Sequence, residues 1–248
     1  MSVPALEVGE LAKVFGGLAA VNNVSLAVAA GERRVLIGPN GEGKTTLFHC
    51  ITGTLKPTAG RVSLFGRDVT RLAEHRRTAL GMGRTFQITN VFGDLTLGEN
   101  LALAIIGTDR RKWALHRPAE TFAEVRRRTL DSLERVGLGG RAHLPAKLVS
   151  YGERRQLELA LALNTDPRVL FLDEPCAGLA PAERQRISRM IAELPRDITL
   201  IMIEHDMDVA LGLADRVTVL HQGQGILEGT PDEVRANAQV RDVYFGHA

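Results

Sequence analysis

The run Gly38-Pro39-Asn40-Gly41-Glu42-Gly43-Lys44-Thr45 completes the pattern G-x-x-x-x-G-K-[ST], between an apolar stretch at Arg33 to Ile37 and a segment of helical character. Glycines at these spacings let backbone N–H groups turn inward around phosphate oxygens, and a helix starting there presents the positive end of its dipole to them. In such a loop Lys44 reaches the β- and γ-phosphates of a nucleoside triphosphate, and the Thr45 hydroxyl ligates Mg²⁺. A second constellation is Val169-Leu170-Phe171-Leu172-Asp173-Glu174, an apolar run ending in two carboxylates. One metal needs one acid. Asp173 is the candidate to hold Mg²⁺, directly or through water, and Glu174 the candidate to orient and polarise the water that attacks the γ-phosphate. In isolation, a pair of acids could also simply begin a surface loop.

These residues need a frame. Ala5 to Val28 alternates apolar and polar positions around Gly16-Gly17 and Asn22-Asn23, with Val24, Leu26 and Val28 on one face, the pattern of antiparallel β structure. Arg33 to Ile37 reads as a strand and Gly43 to Gly53 as the helix after the loop, with Gly53 able to end it. Gly60 to Val69 reads as strand, turn at Gly66-Arg67, and strand. From about Ala73 to Asn164 the character is helical, with apolar residues at helix spacing in Leu101 to Ile106, Phe122 to Val136 and Gln156 to Leu163. Arg168 to Leu172, Leu200 to Ile203 and Val217 to Leu220 are apolar runs of buried-strand type, separated by helical patterns. The expected fold class is therefore α/β: a mostly parallel sheet, an antiparallel β subdomain and an inserted helical subdomain.

Bulk properties are consistent with this and add few constraints. Hydrophobic residues make up 44% and charged residues 24% of the 248 residues, enough apolar material for a real core. A net charge of +2 does not argue for nucleic acid. Cys50 and Cys176 are too few and too far apart for a disulfide framework or a metal-ligand spacing, which suits a reducing compartment. Met1 to Glu10 has no secretory pattern, and no run approaches the roughly 18 apolar residues of a membrane span. Work at a membrane would require another chain to hold this one there.

The order of motifs resembles the nucleotide-binding subunit of an ATP-binding cassette (ABC) transporter over essentially the whole chain. The deciding segment is Val149-Ser150-Tyr151-Gly152-Glu153-Arg154-Arg155, similar to the family's signature motif in its variant with tyrosine for the first glycine. The resemblance implies one cassette over 1–248, with a P-loop NTPase core in 1–87 and 165–248 and a helical signature subdomain at about 88–164. It implies that Gly38 to Thr45, with Thr46, binds ATP with Mg²⁺, and that Ser150 and Gly152 bind the γ-phosphate of ATP held by an opposing subunit. Ser150-x-x-Glu153 also reads as a helix capping box, and both roles can hold at once. Phe15 falls where an aromatic ring stacks on adenine, unless it is an ordinary core phenylalanine.

By the same resemblance Gln87 touches Mg²⁺ and the attacking water, and His205 bridges the γ-phosphate and Glu174. Ala177 to Pro181 corresponds to the loop that crosses the dimer interface, where Ala180 replaces a common aspartate and so removes any signalling through that carboxylate. Two acids also depart from the family pattern. Glu153 replaces a usual glutamine, and Glu42 replaces a small residue beside the triphosphate, so Glu42 is expected to point to solvent.

Phe15 to Val24, Gly83 to Gln87 and Glu228 to Val234 resemble the branch that energises uptake of branched-chain amino acids and related amides. The partners implied are membrane permease subunits, a second ATPase subunit, identical or paralogous, and indirectly a solute-binding protein, with the chain peripheral on the cytoplasmic face of the membrane. A cassette driving lipid or polysaccharide export, and a soluble ABC ATPase, are the alternatives. Trp113 and the basic groups Arg110 to Lys112 and Arg126 to Arg128 lie in the helical region, against anionic lipid or as a solvated helix face.

Overall fold

A computed structural model of the chain describes residues 3–85, 91–108 and 119–245. Six strands form the central sheet: β3 (Arg33–Ile37), β6 (Met82–Arg84), β7 (Val169–Asp173), β8 (Thr199–Ile203), β9 (Arg216–His221) and β10 (Gln224–Gly229), in the order β10-β9-β3-β8-β7-β6. All neighbours pair in parallel except β9 and β10, an antiparallel hairpin at one edge.

The alternation within each strand shows why the runs are apolar throughout. Leu36, Val169, Phe171, Ile201 and Ile203 face one core, while Val35, Ile37, Leu170, Leu172, Leu200 and Met202 face another. A sheet buried on both faces has no polar side to show. The first core is closed by α1 (Lys44–Thr52) and an antiparallel sheet of β1 (Leu6–Phe15), β2 (Leu18–Val28), β4 (Ala59–Leu64) and β5 (Arg67–Asp68), ordered β2-β1-β4-β5. Phe48 of α1 meets Phe171 edge-on at 5.2 Å. The second core is closed by α5 (Tyr151–Leu163), α6 (Pro181–Ala192) and α7 (Met207–Leu213).

A third cluster, Leu97, Leu101, Leu133, Val136, Leu138, Val149, Leu157 and Ala160, joins α3 (Leu97–Thr108), α4 (Ala119–Arg135) and α5. Helix α5 therefore serves two cores, with Leu157 and Ala160 turned to the helical lobe and Leu159 and Ala162 to the sheet. Its 3.6-residue period makes this sharing possible.

Two sequence expectations need correction here, and one strand has no counterpart in the sequence reading. The region from Ala73 holds only a short helix, α2 (Glu74–Thr78), before β6, which pairs with β7 from Met82↔Val169 to Arg84↔Phe171. A three-residue edge strand carries too little periodicity to read. The turn assigned to Gly66-Arg67 sits one residue earlier, with Phe65 and Gly66 both at positive φ and Arg67 already in β5. Strand β10 is half exposed and carries two glycines, so its sequence lacks the apolar run of a buried strand.

Candidate functional site

The phosphate loop runs from the end of β3 into α1, and backbone contacts fix its shape. Gly38 lies at φ 153° with Leu220 oxygen 2.3 Å from where a Cβ would stand, so the loop passes too close to β9 for any side chain. Gly43, the N-cap of α1 at φ 85°, is equally confined, by Ala20 oxygen of β2. No side chain caps α1. The first-turn N–H groups of the helix thus face the loop as anion donors.

Lys44 folds back over the loop, donating to the carbonyls of Gly38 and Pro39 at 2.7 Å each. Burial lowers its pKa, an effect that Glu174, Glu42 and Asp173 oppose. Such a cation is held by weak carbonyl acceptors and can be transferred to a phosphate.

Glu42 does not point to solvent. Its side chain is 17% exposed and lies on the β9–β10 turn, where one oxygen accepts the Gln222 N–H and the other stands 3.4 Å from His221 Nδ1. The turn creates the opportunity: Gln222 and Gly223 both take positive φ, and Asn22 N–H donates to Gly223 oxygen at 2.8 Å, which joins the turn to β2. The acid is a tie between the loop and the sheet edge.

Asp173 and Glu174 close β7 in different environments. Asp173 is fully buried, neither oxygen has a hydrogen-bond partner among the described residues, and Arg84 Nη2 lies 3.8 Å away. Burial raises its pKa and the Arg84 guanidinium opposes the shift. A desolvated carboxylate with open lone pairs is half of a cation site. Glu174 takes φ 48°, donates its N–H to Ile203 oxygen at 3.0 Å, and places Oε1 2.6 Å from His205 Nε2. Two residues brought together from β7 and β8 thus make a carboxylate–imidazole pair beside the buried Asp173.

The signature residues lie at the N-terminus of α5. Ser150 N-caps the helix, its hydroxyl accepting the Glu153 N–H at 3.1 Å while Glu153 accepts the Ser150 N–H at 2.9 Å. The capping box is therefore present. The other Glu153 oxygen pairs with Arg141 at 2.6 Å, so the unusual acid is turned back on its own lobe. Gly152 is packed against Glu183 of α6, whose carboxylate would lie 2.4 Å from an added Cβ. An open cleft of about 390 Å³ lies here, lined by Arg141, Ser150, Gly152, Glu153, Glu183 and Arg186 among others.

The remaining expectations fall as follows. Phe15, at the end of β1, is 45% exposed with Lys13 Nζ 4.9 Å from its ring centre, so it is not a core residue. Ala180 is the N-cap of α6, ahead of Pro181. Gln87, Arg110, Arg111, Lys112 and Trp113 lie outside the described residues. Arg126 is exposed, Arg127 pairs with Glu124 and Asp131 of its own helix, and Arg128 lies 3.6 Å from Asp166. Sequence reasoning gave no role to Arg84 or to Glu204, which is 3% exposed after β8. An acid at a strand end reads as a surface residue until its neighbours are known.

A phosphate loop, a strand-end acid pair and a separate capped signature on one α/β frame are the marks of one family, and comparison with known proteins decides the matter. The family model for ABC transporters matches residues 21–177. The chain belongs to that family. It is an ATP-binding cassette, an ATPase of the P-loop NTPase fold. A second model, of branched-chain amino acid ATP-binding cassette transporters, matches residues 226–248. Among curated proteins, the cassette is 42% identical over 257 residues to the high-affinity branched-chain amino acid transport ATP-binding protein LivG of Salmonella typhimurium, covering 100% of both chains. Among solved structures, it is similar to a cassette of an ABC transporter in its ADP conformation, with a TM-score of 0.85, 31% identity and full coverage of both chains. It is also similar to a dimeric cassette bound to ADP and Pi in a post-hydrolysis state, with a TM-score of 0.78, 26% identity and coverage of 91% of this chain and 98% of that one. No helix among the described residues is long and apolar enough to cross a membrane.

Proposed function

We propose that this cassette hydrolyses Mg-ATP to drive import of branched-chain amino acids. In this reading it works at the cytoplasmic face of the membrane, paired with a second cassette and docked on permease subunits that receive substrate from a solute-binding protein. The observation that carries the hydrolytic part is the 2.6 Å contact between Glu174 and His205 beside the desolvated Asp173. The match at residues 226–248 and the LivG likeness support the substrate class.

In this reading the α1 N-terminus and Lys44 bind the β- and γ-phosphates, with Pro39, Asn40, Gly41, Gly43 and Thr46 completing the cradle around Gly38, and Phe15 stacks on adenine. Asp173, whose buried oxygens have no hydrogen bond among the described residues, fits Mg²⁺ together with the Thr45 hydroxyl and Gln87, a set of oxygen donors. The ion would supply charge neutralisation on the phosphates. Glu174 orients a water in line with the γ-phosphorus and accepts its proton as the bond to the ADP oxygen breaks. His205 holds the Glu174 carboxylate and reaches the γ-phosphate.

Ser150 and Gly152, at the N-terminus of α5, bind the γ-phosphate of the ATP on the partner cassette, which closes the pair while the triphosphate is intact. The helical part, about 88–164, carries this signature and the permease contact.

Uptake of radiolabelled leucine, isoleucine and valine by cells lacking this cassette tests the whole reading. Loss of uptake restored by the wild-type chain and not by Glu174→Gln is expected. Unchanged uptake of all three, with loss of an unrelated solute, would refute the substrate class.

A further inference from the structure

We infer that Glu204 is a positioning residue that sets the separation of Glu174 and His205 and thereby the rate of the hydrolytic step, an inference that rests on the roles proposed for those two residues.

Glu204 follows β8 directly and precedes His205, yet its side chain turns inward and is 3% exposed. Oε1 accepts the Cys176 N–H at 3.1 Å, and Oε2 accepts the His205 N–H at 3.1 Å. Cys176 stands two residues after Glu174 in the loop that leaves β7 toward α6. The carboxylate therefore binds the backbones of both loops that carry the reacting pair.

A circuit results. Glu174 N–H donates to Ile203 oxygen at 3.0 Å, its carboxylate meets His205 at 2.6 Å, His205 N–H returns to Glu204, and Glu204 reaches Cys176. Removing any side-chain contact opens one link, but among the described residues only Glu204 joins the two backbones through a side chain.

The chemistry of the residue suits this task and little else. A carboxylate only accepts, and two N–H donors aimed from different loops need an acceptor with two oxygens. Burying such a group is costly, and its pKa is raised by that burial while the backbone N–H bonds hold it down. The acid on the other side of His205 acts similarly: Asp206 pairs with Arg184 of α6 at 2.5 Å and caps α7 through the Asp208 and Val209 N–H groups. Asp206 is partly exposed, however, and anchors α7 and α6 rather than the Glu174 loop. Glu204 is thus the anchor that spans from histidine to catalytic carboxylate.

Glu204→Gln keeps size and shape but sets an amide NH₂ against one of the two N–H donors, pushing that loop away. A displacement on the order of 1 Å in a reacting group costs up to about 100-fold. The experiment compares ATP turnover, KM for Mg-ATP and thermal midpoint of the full-length wild type, Glu204→Gln and Glu174→Gln. The expected result for Glu204→Gln is kcat reduced about tenfold or more, with KM within about twofold and a midpoint lowered by no more than a few degrees. Unchanged kcat, or a kcat loss matched by equal losses in affinity and midpoint, overturns the inference.

Glu174→Gln separates the two levels. If it turns over like wild type, the proposed hydrolytic roles fail; if it is inactive while Glu204→Gln is normal, only the positioning role fails. Should Glu204→Gln not fold, amide exchange in the folded wild type decides instead. Matched, strong protection of the Cys176 and His205 amides supports the tie, and fast exchange at either overturns it.

Discussion

The phosphate loop and the signature both lie at helix N-termini, yet they are built in opposite ways. Around the loop, glycines run against the backbone of β2 and β9, Lys44 and Asp173 are buried, and α1 has no cap of its own. At the signature, Ser150 is exposed, its helix is already capped, and two acids, Glu153 and Glu183, line the cleft beside it. The first region is assembled from one chain, with glycine turns and a buried lysine and acid. The second satisfies itself, and a phosphate arriving there must compete with the cap and approach the carboxylates. Such a surface suits brief engagement with a nucleotide already held elsewhere, and in the proposed function binding belongs to the loop and commitment to the signature.

The loop half is where substitutions should act most strongly. Glu174→Gln is expected to slow ATP turnover by about 10²- to 10⁴-fold, the range for a lost general base, while a fluorescent ATP analogue still binds. Steady-state turnover and binding titrations on the same preparation check both halves of this statement. Lys44→Ala should reduce ATP affinity about 10- to 100-fold, since charge-assisted bonds contribute about 1.5–3 kcal/mol, and a binding isotherm reads it directly.

Glu42→Ala is a smaller test of the same region. It removes an acceptor for the Gln222 N–H and leaves His221 without its nearby acid, which should lower the thermal midpoint by the equivalent of about 1 kcal/mol and weaken ATP binding modestly. Tighter binding in this variant would mean the acid repels phosphate rather than tying the loop.

How much of this was legible in the sequence follows the same division. The loop pattern, the strands at Arg33, Arg168, Leu200 and Val217, and the helices of the lobe could all be read, because continuous apolar runs and helical spacing record burial locally. Edge strands β6 and β10 could not be, since an edge pairs on one side and tolerates short or polar sequence. The fate of Glu42 depended on a turn 180 residues away, and nothing near Glu42 announces that contact. Glu204 was hidden similarly: the Cys176 N–H that makes burying an acid there tolerable lies 28 residues upstream. Phe15 remained open between core and surface until the strand end was seen to leave it exposed.

The smallest expected effect concerns the thiols. Cys176 is buried and its pKa is pushed up to about 12, and burial raises that of Cys50 as well, so neither offers thiolate at neutral pH. A thiol reagent should leave both unmodified in the folded protein and label both in denaturant, and rapid labelling of the native chain would show that the sheet core opens more readily than its packing implies.

The division between binding and commitment meets its most direct test in Ser150→Arg. A large cation at the tip of α5 should block engagement of the partner's nucleotide and leave the loop of its own chain untouched. Measured on one preparation, ATP affinity of the isolated cassette should match wild type while turnover of the assembled pair falls at least about tenfold. Wild-type turnover, or a loss of affinity like that of Lys44→Ala, would contradict the account.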